Sequence, residues 1–210
     1  MSSSASHAIT IVDCGTGNLH SLQRQLRNSH ADTTVTKDPA SVRSATKLVL
    51  PGVGHFGTAM ERMRATGMVE AIREAVLERG VPVLGVCLGM QLMARKSAEG
   101  DCEGLGLVDA EVVRFSVKDS LRYKVPHVGW NRIRVRRQSR LFDGIAEDAE
   151  FYFVHSFHFA AVDEAIAVGD SRYDYEFTSA IEHGNIFGIQ AHPEKSHDAG
   201  SKLLENFVGL

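Results

Sequence analysis

Two short segments hold the residue types that nucleophilic chemistry requires. Cys87 sits in Gly85-Val86-Cys87-Leu88-Gly89-Met90-Gln91, directly after the apolar run Val81-Pro82-Val83-Leu84. A glycine two places before the cysteine and another two places after it indicate a strand-turn-helix elbow. Such a turn projects one side chain from a strained backbone and needs small neighbours where helix meets strand. A cysteine at that tip stands at a helix N-terminus, where backbone N–H groups and the helix dipole favour a thiolate. The second segment is Gly188-Ile189-Gln190-Ala191-His192-Pro193-Glu194-Lys195. A thiol nucleophile needs a base, and the base needs a third group to orient it. His192 fits the first role and Glu194 the second, with Pro193 restricting the backbone between them. An isolated cysteine is more often a small buried hydrophobe. The glycine bracket and the distant His-Pro-Glu turn that balance towards catalysis.

The elements around these segments alternate. Ala8 to Val12 reads as a strand, and Leu19, Leu22 and Leu26 recur at helical spacing. Thr33 to Thr36 and Lys47 to Leu50 are strand-like, and helical patterns cover about Gly57 to Arg64 and Val69 to Arg79, with Gly80 as C-cap. Strand-helix alternation predicts an α/β fold with an open, mostly parallel sheet covered on both faces. The second half is strand-rich: Val108 to Phe115, Asn131 to Arg136, Phe151 to Val154, Ala165 to Val168 and Phe177 to Ile189, with Gly184-Asn185 as a hairpin turn. A helix from about Ala199 to Val208 closes the chain. With no repeat, linker or low-complexity tract, a single domain over 8–210 is expected.

Composition narrows the classes. At 210 residues and 43% hydrophobic content the chain can build one substantial core, and a net charge of −3 offers no broad attraction to nucleic acid or acidic membranes. Cys14, Cys87 and Cys102 form no CxxC pair, which argues against a thiolate zinc site and for a reducing, cytoplasmic compartment. Met1 to His7 lacks the features of a signal peptide and is expected to be a disordered polar leader. No apolar run reaches membrane-spanning length.

Other constellations read as structure. Gly15-x-Gly17 follows the first strand, but a dinucleotide fingerprint would need glycine where His20 stands, so a tight turn is the better reading. Pro51-Gly52-Val53-Gly54 ends a buried strand with glycines that let peptide planes reorient. Attack by Cys87 on an amide creates an oxyanion, for which Leu88 N–H and a peptide of this loop are candidate donors. Arg132, Arg134 and Arg136 alternate with Ile133 and Val135, the pattern of a strand with one solvated face; a docking surface for an acidic partner comes second. His155 and His158 lie three apart in a strand-like segment, so they are expected to face opposite sides and not to share a metal. No metal or cofactor is called for.

Gly85-x-Cys87-x-Gly89-x-Gln91 with a distant His192-Pro193-Glu194 resembles the class I (triad) glutamine amidotransferases. Within that class, Pro51 to Gly54, Val125-Pro126-His127-Val128-Gly129-Trp130-Asn131, Tyr152 to Ser156 and His192 to Ser196 are similar to the glutaminase subunits of imidazole glycerol phosphate synthases, over about Ile9 to Val208. The resemblance implies hydrolysis of L-glutamine by Cys87, His192 and Glu194, with Leu88, Gly52 and Val53 around the oxyanion. It implies that Gln91, Glu99, Ser156 and Phe157 hold the amino-acid end of glutamine. Asn18, Trp130, Tyr152 and Lys195 match interface positions towards a cyclase partner of β/α-barrel fold, which uses the ammonia in histidine biosynthesis. Cys14, Phe157 and Ala191 replace aromatics common in the family, without removing a catalytic group. A paralogous subunit serving another synthase, for instance in cell-surface sugar synthesis, and a stand-alone thiol hydrolase are the competing enzyme readings. A binding module that lost activity is the non-enzyme reading.

Overall fold

The structure, a computed structural model, describes residues 7–15, 19–161 and 163–210. Six of the seven residues of the expected leader lie outside the described residues. The seventh, His7, opens the first strand and pairs with Ala31.

In the first half, strands β1 (His7–Val12), β2 (Ala31–Thr36), β3 (Leu48–Gly52) and β4 (Val83–Cys87) alternate with helices. These are α1 (Leu19–Asn28), α2 (Pro39–Ser44), α3 (Phe56–Thr66), and α4 (Met68–Arg73), which runs on into a π-helical turn at Glu74–Glu78. The short α5 (Leu88–Leu92) follows β4 without a break. β3 and β4 are buried throughout, as a sheet covered on both faces requires. Their side chains alternate between two cores: Leu48, Leu50 and Val83 pack with Phe56, Met60 and Ile72, whereas Val49, Leu84 and Val86 pack with Leu22, Leu26 and Phe207. Helix α2 went unread in the sequence, although Asp38-Pro39 announces it. The Asp38 carboxylate accepts from Ala40 N and Ser41 N, and proline suits the first helical position.

The second half contributes β5 (Lys96–Ser97), β6 (Cys102–Glu103), β7 (Ala110–Arg114), β8 (His127–Arg132), β9 (Arg134–Val135), β10 (Glu150–His155), β11 (Phe157–Ala161), β12 (Ala167–Tyr173), β13 (Tyr175–His183) and β14 (Ile186–Ile189), before α6 (His197–Val208). Among the described residues the main sheet runs β2-β1-β3-β4-β14-β13-β11-β7-β5-β6, with β12 and β9 beside β13. Its first five strands are parallel, and β13, β11 and β7 continue it antiparallel. Gly184, with φ +60°, turns β13 into β14.

One expected strand divides. Asn131 to Arg136 starts in β8, which leaves the main sheet to form a separate two-stranded ribbon with β10, and ends in β9 against β12. Buried Ile133 marks the crossing, where Gly169 leaves room for its Cγ2: a Cβ there would lie 2.6 Å away. Alternation of residue types carries across the break, so periodicity alone does not reveal the change of sheet. Arg132, Arg134 and Arg136 are exposed around buried Ile133, as a solvated face requires, although Val135 is 41% exposed as well. Arg134 pairs with Glu176 at 3.2 Å and, with Arg136, meets the buried Asp170; Arg140 reaches Glu182 at 2.8 Å. Arg134, Arg136 and Arg140 thereby compensate the buried Asp170 and Glu182 of their own chain.

Candidate active site

The elbow at Cys87 forms as the glycine spacing requires. Cys87 has φ +53° and ψ −113°, a region that side chains disfavour. The close packing around it explains the glycines. A Cβ on Gly85 would lie 2.7 Å from the Met90 backbone, and one on Gly89 would overlap Leu50 O at 1.6 Å. Cys87 pairs in register with Gly52 of β3, where a Cβ would press on Leu88 at 2.9 Å. Helix, nucleophile strand and Pro51–Gly54 loop can approach this closely only with hydrogens at those three positions.

Strand β14 lies parallel beside β4, with Ile189 opposite Val86, so both chains leave the sheet at the same edge. That juxtaposition brings residues 87 and 192 together. His192 N–H donates to Tyr152 O at 2.8 Å, and Ser196 Oγ braces the His192 carbonyl at 2.6 Å. The ring donates from Nδ1 to Glu194 Oε1 at 2.8 Å, and Pro193 holds the short turn between them. A carboxylate only accepts, so this contact fixes the ring's orientation and directs Nε2 away from Glu194. Nε2 is buried and has no hydrogen-bond partner. Burial alone would discharge the ring, but the Cys87 sulfur and then Glu194 outweigh it and push the imidazole up to about 10. The sulfur is thus near enough to the ring to favour its charged form.

A cavity of about 290 Å³ opens onto the sulfur. Val53, Leu88, Gln91, Glu99, Ser156 and Phe157 all line it beside Cys87, so seven of the residues singled out in the sequence meet in one place. Gly52 pairs in register with Cys87, and His192, held by Glu194, neighbours the sulfur. Gln91 commits its Nε2 to Phe157 O at 2.8 Å and Gln190 Oε1 at 3.0 Å, which leaves its carbonyl oxygen as the end able to accept from a ligand ammonium. Glu99 spends Oε2 on Phe56 N at 2.8 Å, at the start of α3. Its negative charge suits the same ammonium. Larger cavities of about 580 and 750 Å³ lie elsewhere, but neither contains Cys87 or His192.

Sequence reasoning missed Pro126, Val154 and His155 as pocket walls and Gln190 as a neighbour of the sulfur. Gln190 stands two places before His192 on the same strand exit, a usable signal. The His155 reading needs correction. His155 ends β10 and His158 lies in β11, so alternation along one strand does not apply to them. Both rings pack on Phe115, at 5.2 and 4.6 Å.

Trp130, Tyr152 and Lys195 do not line the pocket. Trp130 and Tyr152 pair across the ribbon and share its outer face with Val128; Trp130 is 45% exposed and Val128 56%. The indole stacks on His197 at 4.9 Å, and Lys195 Nζ sits 5.5 Å over the Tyr152 ring. Asn18 falls outside the described residues. No helix among those described is long and apolar enough to cross a membrane.

A cysteine elbow, an oriented imidazole and a small acidic pocket at the edge of such a sheet define a triad amidotransferase. The class I glutamine amidotransferase family profile matches residues 10–209. The imidazole glycerol phosphate synthase subunit HisH of Sulfurimonas denitrificans is 49% identical over 202 residues, covering 95% of this chain and 97% of that protein. Subunit HisH 1 of Campylobacter jejuni strain RM1221 is 41% identical, over 96% of this chain and all of its own. The chain belongs to the HisH family of class I glutamine amidotransferases. Among solved structures, PurLQS from Thermotoga maritima aligns with TM-score 0.74 at 17% identity, over 96% of this chain and 97% of that one. A glutamine amidotransferase from Methylobacillus flagellatus aligns with TM-score 0.62 at 21% identity, over 89% of this chain and 69% of that one. At those identities the likeness concerns the fold.

Proposed function

We propose that this chain hydrolyses L-glutamine to glutamate and ammonia and delivers the ammonia to a synthase partner. The observation that carries the reading is the buried Nε2 of His192, oriented by Glu194 and coupled to the sulfur of a strained Cys87 at the mouth of the pocket. Cys87 sulfur attacks the side-chain amide carbon, and the oxygen takes up the negative charge between Leu88 N–H and a peptide of Gly52-Val53. As the tetrahedral species collapses, the C–N bond breaks and His192 gives its proton to the departing nitrogen. The products are ammonia and a glutamyl thioester. Water, deprotonated by His192, then attacks the thioester and releases glutamate and the thiol. Glu99 and the Gln91 carbonyl receive the α-ammonium, and the Ser156-Phe157 backbone receives the carboxylate.

Free ammonia in neutral water becomes ammonium, which is no nucleophile, so a sheltered route to an acceptor is chemically required. The surface of exposed Val128, Trp130 and Lys195 with half-buried Tyr152 is the proposed docking face for a cyclase subunit of β/α-barrel fold. That partner would make imidazole glycerol phosphate and an aminoimidazole carboxamide ribonucleotide, in keeping with the names of the relatives. Three free cysteines suit a reducing, cytoplasmic setting. The test is a glutaminase assay of the chain alone and with the cyclase subunit loaded with its nucleotide. Slow turnover alone and strong activation in the complex are expected; fast turnover by the isolated chain contradicts the coupled reading.

A further inference from the structure

Beside the pocket lies a largely buried chain of hydrogen bonds in which donor and acceptor chemistry fixes each direction. His155 Nδ1 lies 2.7 Å from Phe157 O, and a carbonyl only accepts, so that nitrogen carries the proton. A neutral ring then leaves Nε2 bare, and it accepts from His127 Nδ1 at 3.2 Å. His127 Nε2 is bare in turn and accepts from Asn131 Nδ2 at 3.4 Å, a nitrogen that also donates to Arg172 O at 3.0 Å. Burial keeps both rings neutral, His127 held down to about 4 and His155 to about 3. On the other side, Phe157 O receives Gln91 Nε2. The same amide nitrogen donates to Gln190 Oε1, and that contact turns Gln190 Nε2 towards Cys87 Sγ at 3.8 Å. Every group has one consistent role from Asn131 to the sulfur. Both histidine rings are wedged among aromatics, His127 at 4.1 Å on Tyr173 and 5.1 Å on Phe153.

We infer that this network makes His155 and Gln190 positioning residues of the glutaminase reaction, one for the substrate and one for the sulfur. His155 holds the Phe157 carbonyl inward and so sets the Ser156-Phe157 pocket wall. Gln190, fully buried, presents N–H to the sulfur only because Gln91 occupies its oxygen. The network begins on the inner face of the same ribbon whose outer face carries Trp130 and Tyr152. Both roles rest on the glutaminase reading.

The two ends should fail differently. In the complex with the cyclase subunit, His155→Leu is expected to raise KM for glutamine about tenfold with kcat within about twofold. His155→Asn, which keeps a donor where Nδ1 stood, should return KM to within about threefold of the unaltered protein. Gln190→Leu should lower kcat about tenfold, leave KM within about threefold, and slow alkylation of Cys87 by iodoacetamide, followed on its peptide. His155→Leu should leave that alkylation unchanged. Unaltered KM in His155→Leu, equal damage in Leu and Asn variants, or the same parameter moving at both ends overturns the inference. Imidazole nitrogen-15 shifts of the unaltered protein near neutral pH need no variant and decide the matter if one fails to fold. Protonated Nδ1 and bare Nε2 on both rings are expected, and protonated Nε2 on either overturns the network. An unaltered complex with no glutaminase activity would instead sink the glutaminase reading itself.

Discussion

The edge formed by β4 and β14 and the ribbon formed by β8 and β10 serve one pocket in different ways. The edge holds the reacting atoms on two adjacent parallel strands, with a strained elbow on one and a proline-locked turn after the other. Its parts are few, local and rigid. The ribbon holds no proposed reacting atom, yet it carries the proposed docking face on one side and, on the other, the histidines inferred to shape the pocket. On this proposal chemistry depends on two short motifs, whereas recognition depends on a surface drawn from across the chain. Damage to the edge should therefore abolish turnover, and damage to the ribbon should uncouple or misplace it.

Removing the nucleophile is the largest expected effect. Cys87→Ala should lower glutamine-dependent product formation by the complex at least about 10⁴-fold, while synthesis from added ammonium salt persists. Retained glutamine use would relocate the chemistry. His192→Asn should cost roughly 10³-fold in kcat, and Glu194→Gln roughly 10- to 100-fold, because the first removes the proton carrier and the second only its orientation. An equal or reversed order, read in steady-state kinetics, would break the assignment of roles. Trp130→Ala should weaken partner binding roughly 10- to 100-fold by calorimetry, with Cys87 alkylation by iodoacetamide unchanged. If alkylation changed as much as binding, the two regions would not be separable.

The smallest effect concerns stability. His127 and His155 titrate near 6.5 when unfolded but near 4 and 3 in the fold. As pH falls below 6.5 the unfolded chain takes up protons that the native rings refuse, so stability declines towards pH 3. Each ring contributes up to about 1.4 kcal/mol per pH unit in that window. The melting temperature should drop more steeply with acid than in His127→Phe. Identical slopes would mean that the ribbon's inner face is not the acid-sensitive element.

The edge was legible in the sequence because its signals are local. Glycines two places on either side of Cys87 report a backbone collision, and His192-Pro193-Glu194 reports an orientation, each within a few residues. The ribbon was not. Arg132 to Arg136 keeps its alternation while the chain passes from β8 to β9, because a pleat has the same period in either sheet. The buried carboxylates that claim the arginines, Asp170 and Glu182, lie more than thirty positions away. His155 looked like one of two histidines on a strand, since nothing nearby in sequence shows that Ser156 separates β10 from β11. Its partners, His127 and the Phe157 carbonyl shared with Gln91, meet only after the sheet is assembled.

The thioester is the species that only a cysteine mechanism produces. Acid-quenched complex turning over glutamine, digested and read by mass spectrometry, should show a glutamyl adduct on the peptide containing Cys87. It should be absent from the peptides of Cys14 and Cys102. Steady glutamine consumption with Cys87 unmodified, or the adduct on another side chain, would contradict the account.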